Sequence, residues 1–270
     1  MKKLILSVLV LAGCGQPPST SSLNGLGYDG GGNNRAVLIG APNGLAGVPT
    51  DIRELNTLFS KPEYHFNVAI DANASTSEIF DLVKQEAREA DSFLFYFSGH
   101  GNRGILLADD RSFTFREVIA AIAEVRTEPF DRLIVMLDSC LSGSFVDGNG
   151  DAIVTEPDSE TGSHPLIAET IEEPLQEQAN TLYKQAFIFS ASKQNENSQD
   201  LGSARGGSFT YTFRQTVEKF TTEKPLATFR DLATEVSQLT DDEYGHTPMW
   251  RGYPAAEVMD DYFFMYRVDQ

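Results

Sequence analysis

The 270-residue chain carries 39 acidic side chains against 21 basic ones, a formal charge of −18 near neutrality, and only two cysteines. A surface that acidic repels nucleic acid and anionic lipid headgroups and attracts cationic ligands, which excludes nucleic acid as a partner class. The apolar content suffices for one large folded domain, or at most two small ones.

The chain opens on an export signal. Lys2 and Lys3 supply the charged start, residues 4–11 form an apolar core too short to cross a bilayer as a helix, and Ala12 and Gly13 lead to Cys14. The pattern resembles a bacterial lipoprotein signal, which implies that residues 1–13 are removed and Cys14 becomes the lipidation site. Gly15 follows the cysteine rather than Asp, as in the outer-membrane sorting pattern of Gram-negative lipoproteins. The expected location is therefore exported and membrane-anchored, at the outer membrane or cell surface, with the lipid as the sole membrane contact. With Cys14 acylated, Cys140 is the one free thiol, and no internal disulfide can form. Residues 14–34, rich in Pro, Ser, Gly and Asn, read as a flexible tether, and residues 35–270 as the folded domain.

Within that domain, residues 36–39 are a strand candidate, and Ile52, Leu55, Leu58 and Phe59 mark one helix face. Residues 68–70 are a second strand. Ser75 to Glu78 form a capping box that opens a helix with Ile79, Phe80, Leu82, Val83 and Ala87 inward. A strand over residues 92–97 runs into Ser98, Gly99, His100 and Gly101. Residues 104–113 turn at Asp109 and Asp110, and Thr114 to Glu117 repeat the capping box before Val118, Ile119 and Ile122. A second long strand, residues 132–137, runs into Asp138, Ser139 and Cys140. Residues 141–184 then form a long connection holding nine carboxylates, read as a mobile acidic loop beside Cys140 or as a plain solvated insertion. A strand at 186–189 comes after it. Two helices are next, with Phe209, Phe213, Val217 and Phe220, then Phe229, Leu232, Val236 and Leu239 inward. Residues 262–266 are the last strand. This alternation specifies an α/β fold with about six strands, mostly parallel, and helices on both faces.

Buried parallel strands deliver the residues at their C-terminal ends to the carboxyl edge of the sheet. If the strands ending at His100 and Cys140 are neighbours, a thiol and an imidazole arrive side by side. Cys140 then serves as nucleophile and His100 as the acid that protonates a leaving amine. The backbone N–H groups of Gly101 and Cys140 form an oxyanion hole, each donor contributing about 3 kcal/mol. No third, acidic member is evident. His65, His164 and His246 lack such settings and read as surface or structural.

Four ordered patches carry a family resemblance. Residues 36–40 with Gly47, Val48, Pro49, Thr50 and Asp51 resemble a first strand and its Gly-Cys-x-Asn-Asp loop, with Val48 and Thr50 departing from it. Residues 95–101 match a histidine motif, and residues 138–144 an Asp-Ser-Cys-His-Ser-Gly motif in which Leu141 replaces His. Ser190, Ala191, Ser192, then Ser198, Gln199, Asp200 and Gly207 to Thr210 complete the set. Together they resemble a caspase-fold cysteine peptidase, closest to the bacterial metacaspase-like (orthocaspase) branch. The resemblance implies a caspase-like sandwich whose substrate pocket is lined by Asp51, Ser98 and Asp138. Two carboxylates there favour a guanidinium or ammonium, hence a peptide or protein substrate cut after Arg or Lys rather than after Asp. A structural role for Asp138, capping a nearby backbone N–H, is the alternative.

No cofactor is required by this chemistry. Asp147, Asn149 and Asp151 place oxygens at alternating positions as calcium loops do, which leaves two readings, a calcium site or a solvated acidic turn. Ala152 and Asp158, where a full calcium loop carries Gly and Glu, favour the turn. No cysteine–histidine cluster suggests zinc. The competing functions are a catalytically silent caspase-like lipoprotein that binds peptides or partners, and a thiol amidase acting on cell-wall peptide. Between Arg132 and Lys193 the one basic residue is Lys184, so an Arg/Lys-specific enzyme either cuts itself once in this connection, after Lys184, or works as an uncut chain. The uncut chain is the expected outcome, burial near the strand start protecting Lys184.

Overall fold

The computed structural model describes residues 32–64, 66–102, 104–140, 142, 181–193, 195–224 and 227–253. The chain runs β1 (Asn34–Ala41), α1 (Val48–Phe59), β2 (Phe66–Asp71), α2 (Thr76–Ala87), β3 (Ser92–Gly99), β4 (Gly101–Asn102), β5 (Ile105–Leu107) and β6 (Ser112–Thr114). It continues through α3 (Phe115–Val125), β7 (Phe130–Asp138), β8 (Tyr183–Ser190), α4 (Ser208–Glu223), α5 (Phe229–Tyr244) and β9 (Met249–Tyr253). Six strands form one sheet in the order β2-β1-β3-β7-β8-β9, parallel throughout except for β9. Strands β4, β5 and β6 form a separate small antiparallel sheet directly after His100.

The central strands are apolar on both faces because both faces are covered. Along β1, β3 and β7, Val37, Phe95 and Val135 pack into one core with Ile79, Val83 and Ile122 of α2 and α3. Their neighbours Leu38, Tyr96 and Met136 enter the opposite core with residues of α1, α4 and α5. The alternation of side chains along a strand thus sorts one apolar run into two cores. The helix starts are set by local chemistry. Both capping boxes form, at Ser75 with Glu78 and at Thr114 with Glu117, and a third at Thr228 with Asp231. Asp110, at the tip of the small sheet, also accepts hydrogen bonds from the N–H and hydroxyl of Thr76, fastening that sheet to α2.

Two expectations change. Residues 48–51 are not a loop: Pro49 sits in the first turn of α1, where its fixed φ favours a helix and its missing N–H costs nothing, so Asp51 is helical. The sheet also gains β9, which the sequence pattern does not announce. Its five residues are interrupted by Arg251 and Gly252, and they pair antiparallel at an edge, where no continuous apolar run is needed. The strand expected at 262–266, the acidic residues 143–180 and the leader and tether through residue 31 lie outside the described residues. No helix among the described residues is long and apolar enough to cross a membrane.

Candidate active site

Ser98 of β3 and Asp138 of β7 are register partners on adjacent parallel strands. Each chain continues two residues beyond that rung, to His100 and Cys140, which therefore leave the same edge of the sheet. This edge lies where the strand order departs in both directions from β1, the usual position for sites in open α/β sheets. His100 and Cys140 line one cleft of about 80 Å3 together with Asp51, Ser98, Asp138 and Asp200.

The His100 Nε2 lies 3.2 Å from the main-chain oxygen of Asn43. A carbonyl only accepts, so Nε2 carries the hydrogen and Nδ1 is left as the basic nitrogen of the neutral ring. The orienting partner is thus a neutral carbonyl in place of a carboxylate. Asn43 presents it from a left-handed backbone (φ 40), a conformation Asn tolerates better than most side chains, and its amide donates to the Ala108 oxygen at 3.2 Å. The small sheet after His100 therefore also holds the loop that orients His100.

Cys140 is half-buried and is the free cysteine among the described residues. Its thiol points at the Ser198 oxygen, 3.8 Å away, a weak contact. Gly101 packs against the nucleophile turn: a Cβ there would stand 2.7 Å from Ser139 Oγ and 3.1 Å from the Cys140 oxygen. Only glycine lets the backbone after His100 close on Cys140, the approach that two N–H groups serving one oxyanion require.

Behind the pair lies the carboxylate pocket. Asp51 and Asp138 are 2% and 5% exposed. Ser98 Oγ donates to Asp51 at 2.7 Å, and the Gly207 N–H donates to its other oxygen at 2.7 Å. Asp138 accepts from the Thr210 N–H at 3.1 Å and the Thr210 hydroxyl at 2.7 Å, and Tyr96 in turn donates to that hydroxyl. Gly206 and Gly207 form a wedge between the two acids. Gly206 has φ +83, and a side chain on it would overlap Asp51, while one on Gly207 would overlap Asp138. Asp138 thus caps the first turn of α4, the structural role, and at the same time lines the cleft.

Burial, and then the charge of Asp138, push the Asp51 carboxyl well above the ordinary aspartate range. Burial likewise lifts Asp138 to about 6, although the Thr210 bonds pull it down. Tyr96 is driven above the usual phenol range by burial and by both carboxylates, so it remains a neutral donor. An aspartate raised from about 3.9 in the unfolded chain favours the folded state while protonated. That contribution is present at acid pH and is lost as pH rises through about 6. The thermal midpoint of the wild-type chain, relative to Asp138→Asn, is therefore expected to fall between pH 4 and pH 7; a flat difference across that range contradicts it.

Asp200 is the cleft-lining carboxylate that sequence reasoning did not assign to the site. It lies within the quoted patch Ser198–Asp200, but nothing local ties it to Asp51 or Asp138. It is exposed at the rim, accepts from the Gly202 N–H at 2.8 Å, and its charge helps raise both inner acids. His246 is buried rather than at the surface; His65, His164 and Cys14 lie outside the described residues. Among the described residues no group of three His, Cys, Asp or Glu side chains is arranged to hold a metal ion, and Asp147 to Asp151 fall outside them.

A six-stranded, mostly parallel sheet with an imidazole and a thiol at adjacent strand ends defines a caspase-like α/β domain. The caspase domain family (Peptidase_C14) matches residues 33–254, and the chain belongs to that family of cysteine peptidases. Among solved structures it is similar to the crystal structure of caspase-1 from Spodoptera frugiperda, with a TM-score of 0.52 at 16% identity over 82% of this chain and 85% of that one. At that identity the likeness concerns the fold alone. No curated protein sequence matches the chain.

Proposed function

We propose that this chain is a metacaspase-like cysteine endopeptidase that cleaves after Arg or Lys. The Cys140 sulfur attacks the scissile carbonyl carbon while His100 takes the thiol proton. The tetrahedral oxyanion is held by the N–H groups of Gly101 and Cys140. Collapse breaks the C–N bond, His100 returns the proton to the leaving amine, and a thioester remains on Cys140. Water, deprotonated by His100, then releases the acid and restores the thiol.

The observation that carries the specificity is a cleft holding His100 and Cys140 beside two buried carboxylates, with no Lys or Arg among its lining residues. Leu45 and Val48 offer apolar surface for the aliphatic stem of a basic side chain, and Asp51 and Asp138 await its charged head. Presence of both Cys140 and His100 favours this reading over a silent binding module. A peptidyl-arginine chloromethyl ketone is expected to modify Cys140 alone and abolish activity, whereas an Asp-ended analogue leaves the thiol free. The reverse pattern, read by peptide mass mapping, ends the proposal.

We further infer an exported lipoprotein, anchored through Cys14 and active without internal cleavage. Lys184 lies inside β8 with its side chain 65% exposed and paired with Asp131, so strand pairing rather than burial shields its peptide bond. Asp131 is at the opposite end of β7 from Cys140, about 30 Å away at ~3.3 Å per residue, beyond the reach of the chain's own nucleophile. Mass spectrometry of the active protein is expected to find a lipid mass on Cys14 and an unbroken chain between Cys140 and Ala186. Autocatalytic cutting after Asp151 or Asp158 contradicts both the single chain and the basic specificity.

A further inference from the structure

Gly245 ends α5 in a left-handed conformation (φ 71), its N–H returning to the Asp241 oxygen, and the reversal buries His246 to 2% exposure. The His246 Nδ1 lies 2.9 Å from the Ala191 oxygen and its Nε2 2.6 Å from Ser208 Oγ. The carbonyl only accepts, so Nδ1 carries the hydrogen and Ser208 donates to Nε2. Ser208 Oγ then accepts from the Gln199 N–H at 3.3 Å, and the Ser208 N–H donates to the Gln199 oxygen at 2.9 Å. One imidazole therefore joins three segments: the chain leaving β8, the strip 198–200 along the cleft, and the first turn of α4.

That first turn is what holds the pocket. Its Gly207 N–H binds Asp51, its Thr210 N–H and hydroxyl bind Asp138, and the strip beside it presents the Ser198 oxygen to the Cys140 thiol. His246 itself does not line the cleft, and Ser208 is fully buried, so the Ser208–His246 pair has no access to a substrate. We propose that His246 is a positioning residue for the basic-residue pocket, fixing the first turn of α4 and with it the placement of Asp51 and Asp138. Burial lowers the ring's pKa below the ordinary histidine range against the Ala191 bond and the carboxylates of Glu196 and Asp241, in the direction of the neutral ring to which Ser208 can donate.

The inference rests on the basic-residue pocket proposed for this cleft, and the test separates the two. In the full chain, His246→Ala is expected to raise KM for an Arg-ended fluorogenic peptide about tenfold, with kcat and the rate of Cys140 alkylation by iodoacetamide changed less than about threefold. Ser208→Ala is expected to raise KM about threefold, and the double variant to be no worse than His246→Ala, because both changes break one linkage. His246→Gln, whose amide oxygen can accept from Ser208, regains most of the KM. Unchanged KM in His246→Ala overturns the proposal. So does a joint loss of KM, kcat and alkylation that Gln does not rescue, which marks a general structural role. If His246→Ala does not fold, Ser208→Ala decides, and an unchanged KM there is fatal. Agmatine binding by calorimetry on the same variants distinguishes the two failures. A wild type that binds agmatine but cuts no peptide ends the peptidase reading and leaves the positioning test standing on affinity. A wild type that does not bind agmatine removes the pocket and this proposal together.

Discussion

Replacing Cys140 by Ala is expected to abolish peptide hydrolysis while leaving the fold intact. The residue lies just past the last rung of β7, is only half-buried, and makes one weak contact through its thiol. Its loss removes little packing, so the thermal midpoint should shift by no more than a few degrees, within the about 1 kcal/mol typical of single changes. Catalysis is a different matter, because Cys140 is the one thiol among the residues lining the cleft. Loss of the covalent step should lower kcat by about 10^4-fold or more. Steady-state turnover by purified variant and wild type reads this directly. Turnover near the wild-type rate in Cys140→Ala would sink the peptidase reading and leave a caspase-like binding module in its place.

The second large effect is at the pocket, and there activity and stability should move in opposite directions. Asp138→Asn or Asp51→Asn is expected to lower kcat/KM for Arg-ended peptides at least tenfold. Breaking one side of a buried ion pair costs about 3–5 kcal/mol, and about 1.4 kcal/mol already accounts for a factor of ten. The same changes should raise the thermal midpoint of the unliganded chain at pH 8. Two acids are buried together there, and burial together with mutual repulsion disfavours their ionised forms. In Asp138→Asn the amide oxygen still accepts from Thr210, so the cap on α4 survives. A purely structural Asp138 predicts normal kcat/KM in Asp138→Asn, because the cap it supplies is kept.

Much of this arrangement is legible in the residues alone. The runs at β3 and β7 are continuous and apolar because both faces are covered, and each ends in residues whose chemistry is unambiguous at a sheet edge. Ser75 and Thr114 announce their helices because a capping box is a local pattern. His100 and Cys140 are legible because each sits just past the end of such a strand, whereas Asp51, Ser98 and Asp138 enter through the family resemblance of the patches that hold them. The illegible parts depend on segments distant in sequence. The Asn43 oxygen that orients His100 is a main-chain atom with no side-chain signature. Asp200 joins the pocket, and His246 its support, only once α4 and the chain leaving β8 pack against the strand ends. The Gly206–Gly207 wedge reads as an ordinary loop until Asp51 and Asp138 stand on either side of it. Strand β9 is missed because an antiparallel edge strand with Arg251 and Gly252 needs no periodic pattern to pair.

The central claim, that Cys140 and His100 act on peptides selected by a carboxylate pocket, meets its most direct test in a comparison of three fluorogenic peptides ending in Arg, Lys and Asp. The purified chain is assayed with calcium and with a chelator. Turnover of the Arg and Lys peptides, with Arg fastest and the Asp peptide untouched, is the expected result under the condition that supports activity. Preferential cleavage of the Asp-ended peptide, or cleavage of any of the three that persists in Cys140→Ala, contradicts it.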